Sequence, residues 1–448
     1  MDSIIVEKKG LAWEKEYYDK LVSVKAAAAV VKSGDHIGTG QASCAPDALL
    51  KELCLRKDEL RDVEIYSGLI YYPYDFMKGE FKGHIGYNTY FLSPTERKFM
   101  HEGNISVSSH NLTNHEDWFG RVGRCNVALL EVTAPDENGY FSYGVCGALM
   151  NPAIVTAVST IIVQVNKRLP TLHNNMKETL IHVSEVSYIC EADYPILEVF
   201  FKSGTEIEQT MASYIVDEIP DGACLQIGIG GVPNSICELL TKKQDLGVHS
   251  EMISDGIMKL AKNGNINNSR KNIDTGKFIC GGAMASMECY NWMASTEDMI
   301  CGPSRYINNP MIIAQNDNVI AINSAIQVDL TGQISSESIG YRQYSGTGGQ
   351  LEFAIGARYS KGGKSFIALP STVFDKKTNT LKSRIVISLD AGSAVTTPRS
   401  FAHYIVTEYG MVNVKNRSFS EIAKLLISIA HPDFREQLTQ EATKVCLI

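Results

Sequence analysis

The chain is predicted to be an α/β protein: two similar open α/β domains with mostly parallel sheets. Three observations predict this. Apolar, strand-like runs alternate with helical patterns through both halves, as in parallel strands joined by crossover helices. A length of 448 residues exceeds what one ordinary core organises, so two or three domains are expected. Finally, two segments echo each other. Ser33-Gly-Asp-His-Ile-Gly-Thr-Gly40 leads into Pro46-Asp-Ala-Leu-Leu50, and Asp221-Gly-Ala-Cys-Leu-Gln-Ile-Gly-Ile-Gly230 leads into Pro233-Asn-Ser-Ile-Cys237.

Each copy of the echo reads as a turn, a buried strand, a glycine loop and a helix opened by proline, which a first helical turn tolerates. It continues in Asp62-Val-Glu-Ile-Tyr-Ser-Gly68, which aligns with Asp245-Leu-Gly-Val-His-Ser-Glu251. Gly68 therefore stands where Glu251 stands in the second half. The bland alternative is that any α/β chain repeats strand, glycine and helix. Further strands are expected at Val127 to Val132, Thr160 to Val165, Val319 to Ile322 and Lys364 to Leu369. The stretch Cys190 to Gly204 carries a proline and little helical periodicity, so the linker is placed there. This divides the chain into 1–203 and 204–448, with Glu251 in the second part.

Composition narrows the function. With 42 Lys+Arg against 50 Asp+Glu, a formal charge of -8 and no basic block, nucleic acid is a poor partner, because phosphate binding needs clustered cations. Residues Met1 to Lys20 are charged and lack the apolar segment of a signal peptide. The longest apolar run, Ala153 to Val165, is interrupted by Thr and Ser and is too short to span a bilayer. Eleven cysteines without a Cys-x-x-Cys pair point to reduced thiols. A soluble, cytoplasmic protein without membrane contact is expected. The ten histidines show no metal-binding spacing, and no Gly-x-Ser-x-Gly elbow is present. Lys361-Gly-Gly-Lys-Ser365 imitates the end of a phosphate-binding loop, but Arg358 occupies the position that must be glycine; it reads as a turn before a strand.

The chemistry concentrates around Asp245-Leu-Gly-Val-His-Ser-Glu-Met-Ile-Ser-Asp-Gly256. Leu246 to Val248 reads as a short buried strand with Glu251 just past its end, where open α/β sheets handle ligands. A carboxylate there can be acid, base, nucleophile or metal ligand. His249, two residues earlier, would face the same way and either orients Glu251 or is structural. Gly228-Ile-Gly-Gly-Val-Pro233 lets the backbone approach a ligand at a helix start. It is not a dinucleotide fingerprint, because Pro233 stands at its sixth position. Gly346-Thr-Gly-Gly-Gln350 is an ordinary loop or a second close-approach surface facing Glu251. Asn308 and Asn323 either satisfy turn backbone or reach a ligand.

Taken together, the Glu251 segment and the two glycine loops resemble the family I coenzyme A transferases, in the butyryl-CoA:acetate and 4-hydroxybutyrate branch. The likeness covers most of the chain. It implies that Glu251 is the nucleophile, in a cleft between the domains. It also implies that Gly228, Ile229, Gly230, Gly231 and Val232 contact CoA and stabilise an oxyanion, and that Asn308 lies near Glu251. Asn323 and Ala325 would touch CoA, and Gly348 and Gly349 would lie against the thioester. The expected reaction passes CoA from a short-chain acyl-CoA, butyryl-CoA by the closest motifs, to a carboxylate such as acetate through a glutamyl-CoA thioester. No metal and no cofactor beyond coenzyme A as substrate is implied, and a homo-oligomer is expected. Tyr66, Tyr71 and Tyr72 of the first half would then shape acyl-chain choice.

Asp375-Lys-Lys377 after Pro370-Ser-Thr372, Tyr359 to Phe366 and Gly222 to Leu225 look most like the butyryl-CoA enzymes. The tail Ala430-His-Pro-Asp-Phe434 is shared with the 4-hydroxybutyrate enzymes. Met287-Glu-Cys-Tyr-Asn291 departs from the family, which carries a basic pair in that region. The same scaffold also suits an acyl-CoA hydrolase, in which water replaces the second carboxylate, and a non-catalytic binder would use Glu251 only as an acceptor.

Overall fold

The computed structural model describes residues 12–172, 176–200 and 203–448. Residues 1–11, in the charged start of the chain, and Phe201 and Lys202 of the expected linker lie outside this set. Two sheets dominate. The first contains β1 (His36–Thr39), β2 (Val63–Ser67), β3 (Ile85–Thr89), β4 (Ile105–Val107), β5 (Val127–Val132), β6 (Thr160–Asn166) and β7 (Tyr188–Ala192). Its order is β4-β3-β2-β1-β5-β6-β7, and every neighbouring pair is parallel.

The second sheet contains β8 (Cys224–Ile227), β9 (Gly247–Ile253), β10 (Phe278–Ala283), β11 (Met299–Cys301), β12 (Val319–Ser324), β13 (Lys364–Ala368), β14 (Tyr404–Thr407) and β15 (Gly410–Asn413). Its order is β11-β10-β9-β8-β12-β13-β14-β15, and only the last pair is antiparallel. The two sheets therefore share one topology, with the first strand central, the next three on one side and the following three on the other, to which the second sheet adds β15 as an antiparallel edge strand.

The register agrees too. His36 and Ile37 pair with Glu64 and Ile65, while Cys224 and Leu225 pair with Gly247 and Val248. These are the residues that the sequence echo aligns.

Strands buried on both faces explain the long apolar runs. All six residues of β5 are buried, and so are the first four of β12. Helix α1 (Asp47–Leu55) buries Leu49, Leu50 and Leu53, and α2 (Gly231–Leu239) buries Val232, Pro233 and Ile236. Lys361 and Gly362 do form the turn before β13.

Two expectations need correction. Cys190 belongs to β7, paired with Gln164, so the irregular segment starts after Ala192. The strand at Leu246 is also longer than expected: β9 runs to Ile253 and contains Glu251. Polar residues at 249–251 hid this from a reading based on hydrophobicity.

The halves are not separate bodies. One apolar cluster runs from Leu130, Met150 and Val163 of the first domain to Leu225, Val248 and Cys280 of the second. Among the described residues, no helix is long and apolar enough to cross a membrane.

Candidate active site

The location of Glu251 follows from unequal pairing of β9. On one side β8 bonds only to Gly247 and Val248, because its chain leaves the sheet after Ile227 to form the Gly228–Gly230 loop and α2. On the other side β10 continues alongside β9 from His249 to Ile253. Glu251 thus sits on a strand supported along one edge and open along the other. The opening is a cavity of about 210 Å3. Gly228, Ile229, Asn323, Gly348 and Gly349 line it from the second domain, and Leu69, Tyr90 and Phe91 from the first.

Glu251 is half-buried, and loss of water holds its carboxyl above the usual carboxylate range. Two donors work against that: Asn308 and the Gly349 N–H. Asn308 Nδ2 donates to Glu251 Oε2 at 3.1 Å. Gly349 approaches so closely that a methyl on its α-carbon would collide with Glu251 Oε2 and Asn308 Nδ2. The adjacent Asn309 is the residue that satisfies turn backbone, accepting from the Met311 N–H at 2.9 Å. That leaves the Asn308 side chain for Glu251.

His249 does not touch the carboxylate. Its Nε2 lies 2.8 Å from the Ile307 carbonyl, and burial pushes its pKa down to about 4. The neutral ring donates through Nε2 and anchors the residue before Asn308. The reading that His249 is structural holds, with the addition that what it fixes is the approach to Glu251.

The loop Gly346 to Gly349 is clamped against the first domain. Thr347 Oγ1 and Ser109 Oγ lie 2.6 Å apart, and Arg97 donates to the Tyr344 carbonyl at 3.0 Å. A methyl at Gly346 would strike the Tyr90 carbonyl oxygen. The loop opens helix α3 (Gln350–Tyr359). Within α3, Glu352 accepts from Thr113 Oγ1 at 2.6 Å, and burial pushes its carboxyl up to about 7. The floor and lid of the cavity therefore come from different domains and are held in register by side-chain hydrogen bonds.

The structure separates the expected site residues. Glu251, Gly228, Ile229, Asn323, Gly348 and Gly349 share the cavity, and Asn308 reaches it through Glu251. Asn323 Nδ2 donates to Gln226 Oε1 at 3.1 Å, which ties β12 to β8 at the cavity wall. Gly230 has φ +126° and open space where a side chain would begin, so its need for glycine is backbone conformation. Gly231 packs on the Glu208 carboxylate. Val232 and Ala325 are core residues at 5% and 7% exposure.

Tyr66 is displaced from its expected role: it packs edge-on against Trp118. Tyr71 and Tyr72 line a neighbouring cavity instead. Tyr90, Phe91 and Gln226 line the Glu251 cavity without any motif to announce them. In the divergent segment, Met287 donates its N–H to Glu198 at 2.7 Å, and Glu288 pairs with Lys262 at 2.7 Å. Neither lines the cavity.

Known proteins resemble this chain along its length. Butyryl-CoA:acetate CoA-transferase of Anaerostipes caccae is 38% identical over 440 residues, covering 97% of this chain and 98% of that one. The 4-hydroxybutyrate coenzyme A transferase of Clostridium kluyveri is 37% identical over 435 residues, covering 97% and 100%. The crystal structure of RipA from Yersinia pestis superposes with a TM-score of 0.90 at 35% identity, covering 98% and 100%. Residues 6–199 match the acetyl-CoA hydrolase/transferase N-terminal domain, and residues 286–442 match its C-terminal domain. The chain belongs to the acetyl-CoA hydrolase/transferase family.

Proposed function

We propose that the protein is a CoA-transferase that moves CoA from butyryl-CoA to acetate, with Glu251 as the covalent carrier. One observation carries the reading: Glu251 Oε2 is held by Asn308 and Gly349 inside a cavity that also presents the Gly228–Ile229 backbone. The relatives named above act on the same class of substrate by their names.

A Glu251 oxygen attacks the thioester carbonyl, the C–S bond breaks, and CoA leaves as thiolate from a butyryl-glutamyl anhydride. The thiolate attacks the glutamyl carbonyl, the C–O bond breaks, and butyrate departs, leaving glutamyl-CoA. Acetate then attacks this thioester and expels the thiolate. The thiolate attacks the acetyl carbonyl of the new anhydride, which releases acetyl-CoA and restores the Glu251 carboxylate. Each tetrahedral step places charge on an oxygen; the proposed donors are backbone N–H groups of the two glycine loops, apart from that of Gly228, which the Ile322 carbonyl already takes. Loss of one such donor typically costs ~10²–10³ in rate. The scheme is ping-pong and conserves the thioester.

Intact mass after incubation with butyryl-CoA should show one CoA adduct. Borohydride should then convert the side chain at residue 251 alone to an alcohol. Glu251→Gln should form no adduct and lose several orders of magnitude in turnover. Added acetate separates transfer from hydrolysis: transfer returns acetyl-CoA for each butyryl-CoA used, whereas hydrolysis releases free thiol. An adduct at another residue, or free thiol as the main product with acetate present, contradicts the reading.

A further inference from the structure

Two donors hold the Glu251 carboxylate, the Asn308 amide and the Gly349 N–H. Both belong to the second domain, and each is backed by a different element. Asn308 ends the one-turn helix Ser304–Ile307, and its N–H bonds back to the Ser304 carbonyl at 2.8 Å. A helix this short has no stability of its own, so whatever fixes Ser304 fixes Asn308. Gly349 opens α3, where its carbonyl accepts from the Phe353 N–H at 3.0 Å.

One segment of the first domain reaches both elements. Thr113 donates to Glu352 Oε1 twice, through its N–H at 3.0 Å and through Oγ1 at 2.6 Å, and Glu352 lies in the first turn of α3. Two residues on, His115 Nδ1 lies 3.2 Å from Ser304 Oγ. Glu116 pairs with the adjacent Arg305 at 2.6 Å. The segment is itself held. Leu112, Trp118 and Phe119 are buried in the shared apolar cluster, and the His115 ring packs edge-on against Tyr90, whose hydroxyl donates to Gln41.

Burial decides which of these contacts matter. His115 and Ser304 are 0% and 3% exposed, and Glu352 is 1% exposed. Their hydrogen bonds are made away from water, where losing one partner strands the other. Glu116 and Arg305 are exposed, and an ion pair at the surface contributes little.

We propose that Thr113 and His115 are positioning residues for the nucleophile: His115, through Ser304, sets the Asn308 amide, and Thr113, through Glu352, sets the Gly349 N–H. This rests on Glu251 being the nucleophile proposed above. Neither residue lines the Glu251 cavity. The first domain acts on Glu251 through the second, so separating the domains would release both donors together. The carboxylate is correctly held only while the domains are docked.

The test measures steady-state consumption of butyryl-CoA with acetate by the full chain. His115→Phe keeps a ring and loses Nδ1, His115→Asn offers an amide in its place, and Ser304→Ala removes the hydroxyl. His115→Phe and Ser304→Ala should each lower kcat about tenfold, the scale of one buried hydrogen bond. KM for butyryl-CoA should stay within about twofold, because no uniform binding is lost. His115→Asn should recover most of the fall. The two losses should not add to each other, nor to that of Asn308→Leu, since groups that act through one another are non-additive. Thr113→Val, which keeps the backbone bond, should cost about threefold and keep that cost beside Asn308→Leu, because it acts on the other donor. Ser304→Ala, the smallest of these changes, keeps the test open if the His115 variants do not fold.

Losses that add fully to that of Asn308→Leu, no recovery in His115→Asn, or an equal fall in Glu116→Gln overturn the assignment, because each marks general loosening between the domains. A rise in KM with kcat unchanged overturns it as well. Glu251→Gln in the same assay keeps the two levels apart. Turnover that survives there overturns the nucleophile and this inference with it. Turnover that is lost there, while the folded His115, Ser304 and Thr113 variants stay fully active, overturns the positioning assignment alone.

Discussion

Gly349 closes over Glu251 Oε2 so tightly that no side chain fits between them. Gly349→Ala should therefore displace the carboxylate or the loop. Turnover should fall at least ~10²-fold, comparable to losing an oxyanion donor. Since the position is a local contact at the start of a helix, the melting temperature should move by only a few degrees. Steady-state kinetics beside a thermal melt decide it; near-normal turnover would mean that the approach plays no part in the chemistry.

Asn308 should set the acid limb of the pH–rate profile. In the proposed mechanism Glu251 attacks in its ionised form; burial raises its pKa, and the Asn308 amide stabilises the charged form. Asn308→Leu removes that donor, so the limb should shift to higher pH and kcat/KM at pH 6 should fall more steeply than at pH 8. A limb that stays in place would separate Asn308 from the titration of Glu251.

His249 should act through Asn308 without titrating itself. With its pKa near 4, no imidazole limb should appear between pH 5.5 and 8. His249→Ala should lower kcat about tenfold by loosening the Ile307–Asn308 segment, and His249→Gln, which can still donate to the Ile307 carbonyl, should recover part of that loss. If both variants behave alike, the hydrogen bond is not what matters.

Glu131 gives the stability of the fold a definite pH dependence. It is fully buried, accepts from Tyr194, Gln164 and Asn166, and is pushed up to about 8 by burial. An unfolded glutamate releases its proton near ~4.3, so between these values the folded chain holds a proton that the unfolded chain has lost. The contribution is complete below about 4.3 and is lost as pH rises towards 8, on the order of a few kcal/mol in all. Glu131→Gln cannot titrate. The melting temperature of the unmodified protein relative to this variant should fall steadily from pH 5 to 8, and a constant difference would refute the buried-proton account.

Much of this was legible in the sequence because strand, loop and helix carry local signals. The strand at Val127 to Val132 and the aligned pairs at Ile37 and Leu225 come from apolar runs bounded by turns, and β5 and the two sheet registers match them. Glu251, Gly349 and Asn308 were recognisable from their motifs, and the structure brings them together.

Tyr90, Gln41 and Glu352 were not legible. Each matters through contacts with residues far away in sequence: Tyr90 against the Gly346 loop, Gln41 against Tyr90, and Glu352 against Thr113. Tyr66 was misread for the opposite reason. Leu69, just past the end of β2, lines the Glu251 cavity, but Tyr66 on the strand itself packs against Trp118.

The shared apolar interior has a further consequence for the protein as a material object. Leu130 and Cys280 belong to one continuous cluster, so the chain should melt in one calorimetric transition rather than two. A fragment ending near residue 200 would leave a large oily flank exposed and should precipitate or need a partner to remain dissolved. The half that carries Glu251 would fare no better alone, because Phe91 and Tyr90 line the same cavity. Splitting the chain at the linker and mixing the pieces should restore activity only under conditions in which both halves fold together.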